Sequence, residues 1–526
     1  MKKKYFSSLF FLLSVIFIFS CRKGTPSWNV DLLAPLAYSE LSAENIIPDS
    51  ILHKNPDNSL YLEFHAAVSS LSTGKIFVLP DTNFDFAFIA PASVKLAGGT
   101  TITNSSTQQT ALSGNVQLKH GIVHSGNMLL SVKSSVKGNI LIDVNAPGLI
   151  TPAGNIFQTT ISVPAGTATT SGVFYKTFDL SGYKADLSGP DGTKVNTLLI
   201  NYTATLNEKD SVQISAGDSI HFNFSMQKII PQYAVGYFGD VKTSDPDSTK
   251  LSLFRKIIGG KFNLENVDIG LVFENNMGID ANVSVDYLLS VNSRTKTTIP
   301  LSHPIIGQKV NVTRALGNNG NIIPSKYYVT LGSTNSNIKQ FTENLPDSFK
   351  THVSYALNPL GNVSGFNDFG YYDKPMKMYL DMKIPLSCIA NDLTIGDTMS
   401  FNGEKIPEQV NSGTLYLDLQ NGFPFSAEAQ LFVLNNNLSS IDSLISSPNA
   451  ITSPPLDGNF ICIGEKETRL VIPVDEKKLN ELRTTKKLYV KIKFNTANQP
   501  NYVKIYEFYK MDVKLTADLN YTFGKK

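Results

Sequence analysis

Three tyrosines in the second half of the chain have the chemistry needed to bind a sugar. The run Phe369-Gly370-Tyr371-Tyr372 is followed by Tyr379, and aromatic rings present apolar faces on which a pyranose ring can stack. We therefore expect Tyr371, Tyr372 and Tyr379 to form a platform for glycan stacking. The alternative is that the same tyrosines fill a core or an interface.

Cys388 and Cys462 are the two cysteines of the chain besides Cys21. An even pair of cysteines in an oxidising compartment can form one disulfide, which predicts a Cys388–Cys462 bridge. The alternative is two separate buried thiols.

The sequence does not predict a metal site. His120 and His124 are four residues apart and share one face of a strand, but their segment holds no Asp, Glu or Cys. Zinc needs three or four ligands in a defined geometry. The acidic stretches 186–191 and 240–247 lack the Asp-x-Asp-x-Asp-Gly spacing of a calcium loop. We expect neither a metal nor another cofactor.

The sequence also lacks the local motifs of catalysis. It contains no nucleophile elbow, Walker A loop, His-Glu-x-x-His or Cys-x-x-Cys, so we predict a non-catalytic protein. The paired carboxylates of a glycoside hydrolase leave no linear signature. A glycoside hydrolase with dispersed carboxylates therefore stays an alternative.

Alternation of apolar and polar residues dominates the chain and predicts the elements that carry these side chains. The clearest run is 503–523, which is either one long strand or two strands joined at a bulge. Shorter runs recur between clusters of Gly, Asn and Pro. We predict an all-β fold of tandem antiparallel β-sandwich domains, Ig-like or jelly-roll-like. A few short helices are expected, over 247–259, 336–344 and 475–483.

The N-terminus has the pattern of an export signal. Lysines at 2–4 precede an apolar run over 6–19, which is typical of a secretory leader and short for a membrane span. The ending Ile18-Phe19-Ser20-Cys21 resembles a bacterial lipobox. That resemblance implies cleavage between Ser20 and Cys21 and a lipid on the Cys21 thiol.

The stretch Trp28-Asn29-Val30-Asp31-Leu32-Leu33-Ala34-Pro35-Leu36 resembles the start of large outer-membrane lipoproteins of the Bacteroidota. The resemblance implies a protein held at the outer membrane by its lipid. Such lipoproteins often carry acidic residues after the cysteine when they are exported to the surface, whereas Arg22 and Lys23 follow it here. The cell surface and the periplasmic face therefore both stay open.

The same bacterial group attaches O-glycans at Asp followed by Ser or Thr and then an apolar residue or Thr. Six sites fit this pattern, which predicts the acceptors Ser50, Ser211, Ser219, Ser248, Thr398 and Ser443. Asp-Ser and Asp-Thr are also ordinary turn and capping pairs, so only exposed sites are expected to be modified.

Charge excludes one class of partner. Removal of residues 1–20 takes three lysines from the 46 basic residues and leaves 43 against 44 acidic ones. Binding of nucleic acid requires a basic footprint, so nucleic acid is not expected. Envelope proteins or glycans are the expected partners, besides the outer membrane itself through the covalent lipid.

Length and local composition predict five consecutive segments. These are a signal peptide at 1–20, a lipidated tether at 21–55, and β-sandwich domains at 56–237, 238–402 and 403–526. The predicted function is a lipid-anchored, non-catalytic binding or scaffolding protein of the cell envelope. A glycan-binding accessory lipoprotein of a polysaccharide-uptake system is a further alternative, beside the hydrolase.

Overall fold

Antiparallel β-sheets make up most of the structure, a computed structural model. It describes residues 28–47, 50–76, 79–254, 256–318, 321–401, 406–445 and 449–523. The strand pairs whose register the structure describes are antiparallel, and the helices are short. The prediction of an all-β fold of antiparallel sheets with a few short helices is confirmed.

The strands are, in chain order, β1 Trp28–Ser42, β2 Leu52–Lys54, β3 Leu60–Leu71, β4 Thr82–Ile89, β5 Val94–Leu96, β6 Thr101–Gln109, β7 Gln117–Ser134, β8 Ile140–Ile150, β9 Ile156–Val163, β10 Gly172–Asp179, β11 Lys184–Asp186, β12 Thr197–Leu206, β13 Val212–Ile214, β14 Ser219–Tyr237, β15 Lys242–Lys250, β16 Ile257–Leu264, β17 Asp268–Asn275, β18 Ala281–Asn292, β19 Thr297–Pro300, β20 Lys309–Val312, β21 Leu316–Asn318, β22 Asn321–Ile323, β23 Ser325–Leu331, β24 Ser348–Leu357, β25 Asp368–Tyr371, β26 Met376–Pro385, β27 Ser387–Ser400, β28 Val410–Asn421, β29 Phe425–Leu434, β30 Ser440–Ser443, β31 Asn449–Ile451, β32 Lys466–Val474, β33 Lys487–Thr496, β34 Val503–Lys504 and β35 Lys510–Phe523. The α-helices are α1 Ala43–Ile46, α2 Thr73–Ile76, α3 Ile338–Glu343 and α4 Glu476–Thr484, and a 3₁₀ turn covers Ser113–Asn115.

The chain forms two compact units, each built from segments that are distant in sequence. Unit 1 comprises the described residues of Met1–Glu63, Ser252–Asn266 and Ile384–Lys526, and unit 2 those of Phe64–Leu251 and Val267–Lys383. This division differs from the three consecutive domains predicted at 56–237, 238–402 and 403–526. Alternation locates strands, whereas long-range pairing decides which strands belong together.

The prediction of a tether at 21–55 is wrong for the residues that form β1. This strand pairs with β35 from Trp28 opposite Phe523 to Ser42 opposite Lys510, with one irregularity between Pro35 and Ala37. Proline cannot donate to a ladder and is tolerated at such irregularities. Because β35 pairs with β28 on its other side, β1 extends a sheet of unit 1, in the order β1-β35-β28-β32.

A second sheet of unit 1 has the order β16-β27-β33-β29-β30. Leu479 and Leu482 of α4 are buried in an apolar cluster with Val433 and Ile472. The side chain of Asp475 caps α4 by accepting a hydrogen bond from the Lys478 N–H at 2.8 Å. The predicted helix at 475–483 is thereby confirmed.

One ten-stranded sheet of unit 2 encloses its main apolar core. One part of it contains β4, β14, β7 and β10, and the other part contains β6, β12, β8 and β9. The short strand β11 joins the two parts by pairing with both β7 and β8. Their inward side chains form a single buried cluster that includes Leu130, Ile142, Ile200 and Phe224. The alternation of apolar residues along these strands follows from burial of one face.

A bulge divides the long ladder between β7 and β14 into two halves. The register shifts between Gln227 and Tyr233, where Lys228 has a φ of 52° and Gly126 a φ of 146°. A Cβ atom on Gly126 would lie 2.6 Å from Cδ1 and 2.9 Å from Cα of Ile229. Glycine at 126 is therefore required by both its backbone conformation and the close approach of β14.

The other two helix predictions had different outcomes. The helix expected at 336–344 is confirmed as α3, but the helix expected at 247–259 is wrong. Residues up to Lys250 belong to β15, which pairs with β24. The carboxylate of Asp247 accepts from the N–H of Ser248 at 2.6 Å, a local bond that the extended strand permits. Strand pairing has overridden the capping signal.

The predicted disulfide is also wrong, because Cys388 and Cys462 are free thiols. Cys388 is buried in β27, opposite Leu264 of β16 and Val503 of β34. Cys462 lies in a loop, where its N–H donates to the Tyr509 hydroxyl at 3.2 Å. Burial raises the pKa of the Cys388 thiol to about 12 and that of Cys462 to about 11, so both are poor nucleophiles near neutral pH.

We expect Cys388 and Cys462 each to take one alkyl label when the protein is unfolded in urea without reductant. In the folded protein at pH 8, Cys388 should resist labelling because its thiol is buried and protonated. Peptide mass spectrometry measures both states, and a Cys462→Ser variant should lose one label only. Recovery of a Cys388–Cys462 crosslinked peptide from unreduced protein would contradict the free thiols.

Candidate functional site

The three tyrosines predicted to bind glycans lie on two different sheets of unit 2. Tyr371 ends β25 and Tyr372 follows it directly, whereas Tyr379 lies in the middle of β26. β25 pairs with β14, and β26 belongs to the sheet that contains β17 and β23. The structure therefore brings Tyr371 and Tyr372 together and places Tyr379 in a second aromatic cluster.

We define the Tyr372 site as His124, Gln232, Tyr233, Tyr371 and Tyr372. The ring of Tyr372 stacks on that of His124, with centroids 4.3 Å apart and planes 16° from parallel. The ring of Tyr371 packs on that of Tyr233 at 4.4 Å. Tyr372 remains 43% exposed, so the site presents an aromatic surface to solvent.

Gln232 holds the two stacked rings of this site in place. Its backbone carbonyl accepts from the Tyr372 N–H at 2.9 Å, and its side-chain oxygen lies 2.8 Å from Nδ1 of His124. Because that oxygen is an acceptor, the hydrogen of a neutral His124 ring belongs on Nδ1. Nε2 is then left as an acceptor for a hydroxyl of a ligand.

Tyr233 contributes a neutral phenol beneath this surface. Burial raises its pKa, and the neighbouring Tyr371 raises it further. The hydroxyl of Tyr233 thus stays protonated over the physiological range and keeps its hydrogen-bonding capacity as a donor.

A buried carboxylate fixes the start of β25 and hence the position of the tyrosines. Asp368 is fully buried and accepts from the Phe238 N–H at 3.0 Å and from Nδ2 of Asn358 at 2.7 Å. A guanidinium nitrogen of Arg314 lies 3.6 Å from its other oxygen. A buried charge must be paired and hydrogen-bonded to be tolerated, and here those partners tie β25 to three separate segments.

Glycine at 370 allows the close packing that this arrangement requires. A Cβ atom there would lie 2.5 Å from Cγ2 of Thr73 and 3.1 Å from Cε2 of Phe238. In the run Phe-Gly-Tyr-Tyr, the glycine therefore permits close contact with Thr73 and Phe238, and the two tyrosines that follow supply the aromatic rings of the site.

The second cluster surrounds Tyr379. Its ring stacks on His65 at 4.2 Å, and Nδ1 of His65 is hydrogen-bonded to Asp381. Nζ of Lys377 lies 5.9 Å from the ring centroid of Tyr379. Tyr379 is only partly exposed, whereas Tyr372 is exposed, so Tyr379 offers less surface to a sugar than Tyr372.

His120 and His124 belong to two separate clusters of side chains. His124 belongs to the Tyr372 site, whereas Nδ1 of His120 lies 3.6 Å from a carboxylate oxygen of Asp186. Asp186 reaches His120 through the pairing of β11 with β7, which the sequence does not reveal. Within the part of the chain that the structure describes, no group of three His, Cys, Asp or Glu side chains could hold a metal.

The structure also assembles a polar cluster that sequence reasoning missed. Asp286 accepts from Nδ1 of His352 at 2.7 Å and from the Ser354 hydroxyl at 2.6 Å, and Tyr287 stacks on His352. These residues come from β18 and β24, so spacing along the chain gives no signal. Ser354 bonds to the carboxylate rather than to the imidazole, which is not the arrangement of a nucleophile and its base.

The six predicted O-glycan acceptors differ in their exposure to solvent. Ser50, Ser211, Ser248 and Thr398 are exposed, and Ser219 and Ser443 are partly buried. The Ser443 hydroxyl donates to the Ile445 carbonyl at 2.7 Å, which occupies the group to be modified. The predicted cleavage and lipidation residues, Ser20 and Cys21, lie outside the described residues.

Comparisons with known proteins give the chain no family. No protein-family model and no curated protein matches it. Similar solved structures include a protein from Parabacteroides distasonis named as a secreted protein, with 10% identity, a TM-score of 0.25, and coverage of 93% of this chain and 99% of that one. Another is the infectious bursal disease virus Gt strain, with 9% identity, a TM-score of 0.13, and coverage of 90% and 82%. At such TM-scores these likenesses carry no argument.

Among the described residues, no helix is long and apolar enough to span a membrane.

Proposed function

We propose that the chain is an exported, lipid-anchored, non-catalytic binding protein of the bacterial cell envelope. The observation that carries this proposal is the leader, in which lysines at 2–4 and an apolar run end at Ser20-Cys21. A single-site lipid attachment at Cys21 would place a β-rich body at the outer membrane. A bacterial lipoprotein carries several acyl chains, and each buried methylene contributes about 0.8 kcal/mol to membrane affinity.

The composition of the body supports the same proposal. Its charges nearly cancel once the leader is removed, so electrostatic attraction to a polyanion would not hold it in place. The aromatic side chains of the Tyr372 site supply a binding surface, and none of the polar clusters described above has the geometry of a nucleophile activated by a base.

Labelled palmitate should enter the wild-type protein in the producing bacterium and be absent from a Cys21→Ser variant. The Cys21 thiol is the proposed attachment point, whereas Cys388 is buried in unit 1, so Cys388→Ser is the matched control and should keep its label. Gel autoradiography with fractionation of envelopes measures both. Label in Cys21→Ser, or envelope association without any label, would rule out this anchor.

Binding of a glycan at the Tyr372 site is the second candidate function, favoured by the exposed ring of Tyr372. The stacked His124 supports that ring from one side, and Nε2 of His124 can accept from a sugar hydroxyl. The aromatic ring can contact the apolar face of a pyranose, while the adjacent nitrogen of His124 binds one of its hydroxyl groups.

On a glycan array, Tyr372→Ala and His124→Ala should each weaken binding of any recognised glycan by about tenfold, because each removes part of the stacked surface. Tyr175→Ala is the matched control, since Tyr175 is a more exposed tyrosine of β10, at 75%. Equal loss in all three variants, or unchanged binding in the first two, would show that the Tyr372 site does not bind the glycan.

A further inference from the structure

Unit 2 has an apolar groove between two edge strands of its ten-stranded sheet, β4 and β6. β4 pairs with β14 at one edge, and β6 pairs with β12 at the other. Side chains of all four strands line a cavity of about 140 Å³ at this border, among them Phe86, Phe88, Ile102, Asn104, Tyr202 and Phe222. The groove uses the first half of β14, whereas the Tyr372 site uses the second half.

The groove is elongated and apolar at its far end. A second cavity of about 40 Å³ continues the first and shares Phe88, Ile102, Ala204 and Ile220 with it. Leu96 of β5 and Ile214 of β13 line this continuation. From Thr100 to Asn104 the groove follows the chain for about 13 Å at the rise of a strand, which is the length of a decanoyl chain.

Aromatic rings form the wide end of the groove. Tyr202 stacks on Phe222 at 5.5 Å, and Phe86 lies 5.7 Å from Tyr202. At the rim, Phe88 is 39% exposed. Large apolar side chains that line a concave surface and remain in contact with water favour binding of an apolar ligand.

The polar groups of the groove distinguish its two ends. At the wide end, the Tyr202 hydroxyl accepts from Nδ2 of Asn104 at 2.8 Å, so its own hydrogen can be donated to a ligand oxygen. At the far end the lining is apolar except for Thr100 and Asp218, and the Asp218 carboxylate accepts from the Ser215 N–H at 2.7 Å. A polar head group is therefore favoured at the Tyr202 end.

We propose that this groove binds the single unbranched acyl chain of a fatty acid. The carboxylate lies beside Tyr202 and Asn104, and the methyl end points toward Leu96 and Ile214. The wide part of the groove is close in volume to an apolar cavity of about 150 Å³ that accommodates one benzene ring. It is therefore wide enough for part of one chain and too small for the two chains of a phospholipid, and the rest of a single chain lies along the far end and the exposed rim at Phe88. The far end is lined mainly by apolar side chains, as a ligand with a terminal methyl requires.

The direct test is equilibrium dialysis of radiolabelled decanoic acid against the full chain in phospholipid nanodiscs, with empty nanodiscs subtracted. Binding should saturate at one molecule per chain. Across hexanoic, octanoic and decanoic acids, affinity should rise about fourfold for each added methylene. Absence of saturable binding, or affinity that does not change with chain length, would overturn the proposal.

Substitutions on the two faces of β6 locate the site. Ile102→Trp fills the groove and should weaken binding of decanoic acid at least tenfold, whereas Thr107→Trp on the outer face of the same strand should leave it unchanged. Phe88→Ala, at the exposed rim, is a second variant that does not alter the core and should weaken binding about fivefold. Circular dichroism confirms that each variant is folded. Wild-type affinity in Phe88→Ala and in a folded Ile102→Trp would place the fatty acid elsewhere and overturn the proposal.

Discussion

The antiparallel ladder between β7 and β14 is the constraint on which unit 2 depends. It runs from Ile220 opposite Ser134 to Tyr237 opposite Gln117, and buried backbone groups along it must be paired. The outer partners change along its length, because β14 pairs first with β4 and then with β25. One ladder therefore positions both the apolar groove and the Tyr372 site, and the bulge at Gly126 separates them.

The proposed anchor and the first strand of unit 1 are close in sequence. Residues 22–27 are all that separates Cys21 from the start of β1 at Trp28. A fully extended link of that length reaches at most about 25 Å. Under the proposed lipidation, the start of β1 stands close to the membrane, whereas the predicted tether at 21–55 would have allowed a much longer reach.

Alternation predicted strands well, but pairing could not be predicted from it. Ile220, Phe222 and Phe224 alternate in the sequence and face one core, as expected for a half-buried strand. Nothing local indicates that β1 joins β35, because a strand gains its partner from residues far along the chain. The same limit explains the missed Asp186, which reaches His120 only through the pairing of β11 with β7, and the missed role of Asp368. Local structure was predicted best where it depends on neighbouring residues, as in the helix at 475–483, which the structure has as α4.

The free energy of opening the β7–β14 ladder in a Gly126→Ala variant tests this account most directly. A Cβ at that position meets Ile229 of the facing strand and adopts a φ that disfavours side chains, so we expect a loss of about 3 kcal/mol. Native-state hydrogen exchange of the β7 and β14 amides measures it, with Gly74→Ala in α2 as the control that should cause no loss. Equal exchange in Gly126→Ala and the wild type would contradict the claim that the bulge of this ladder requires glycine at 126.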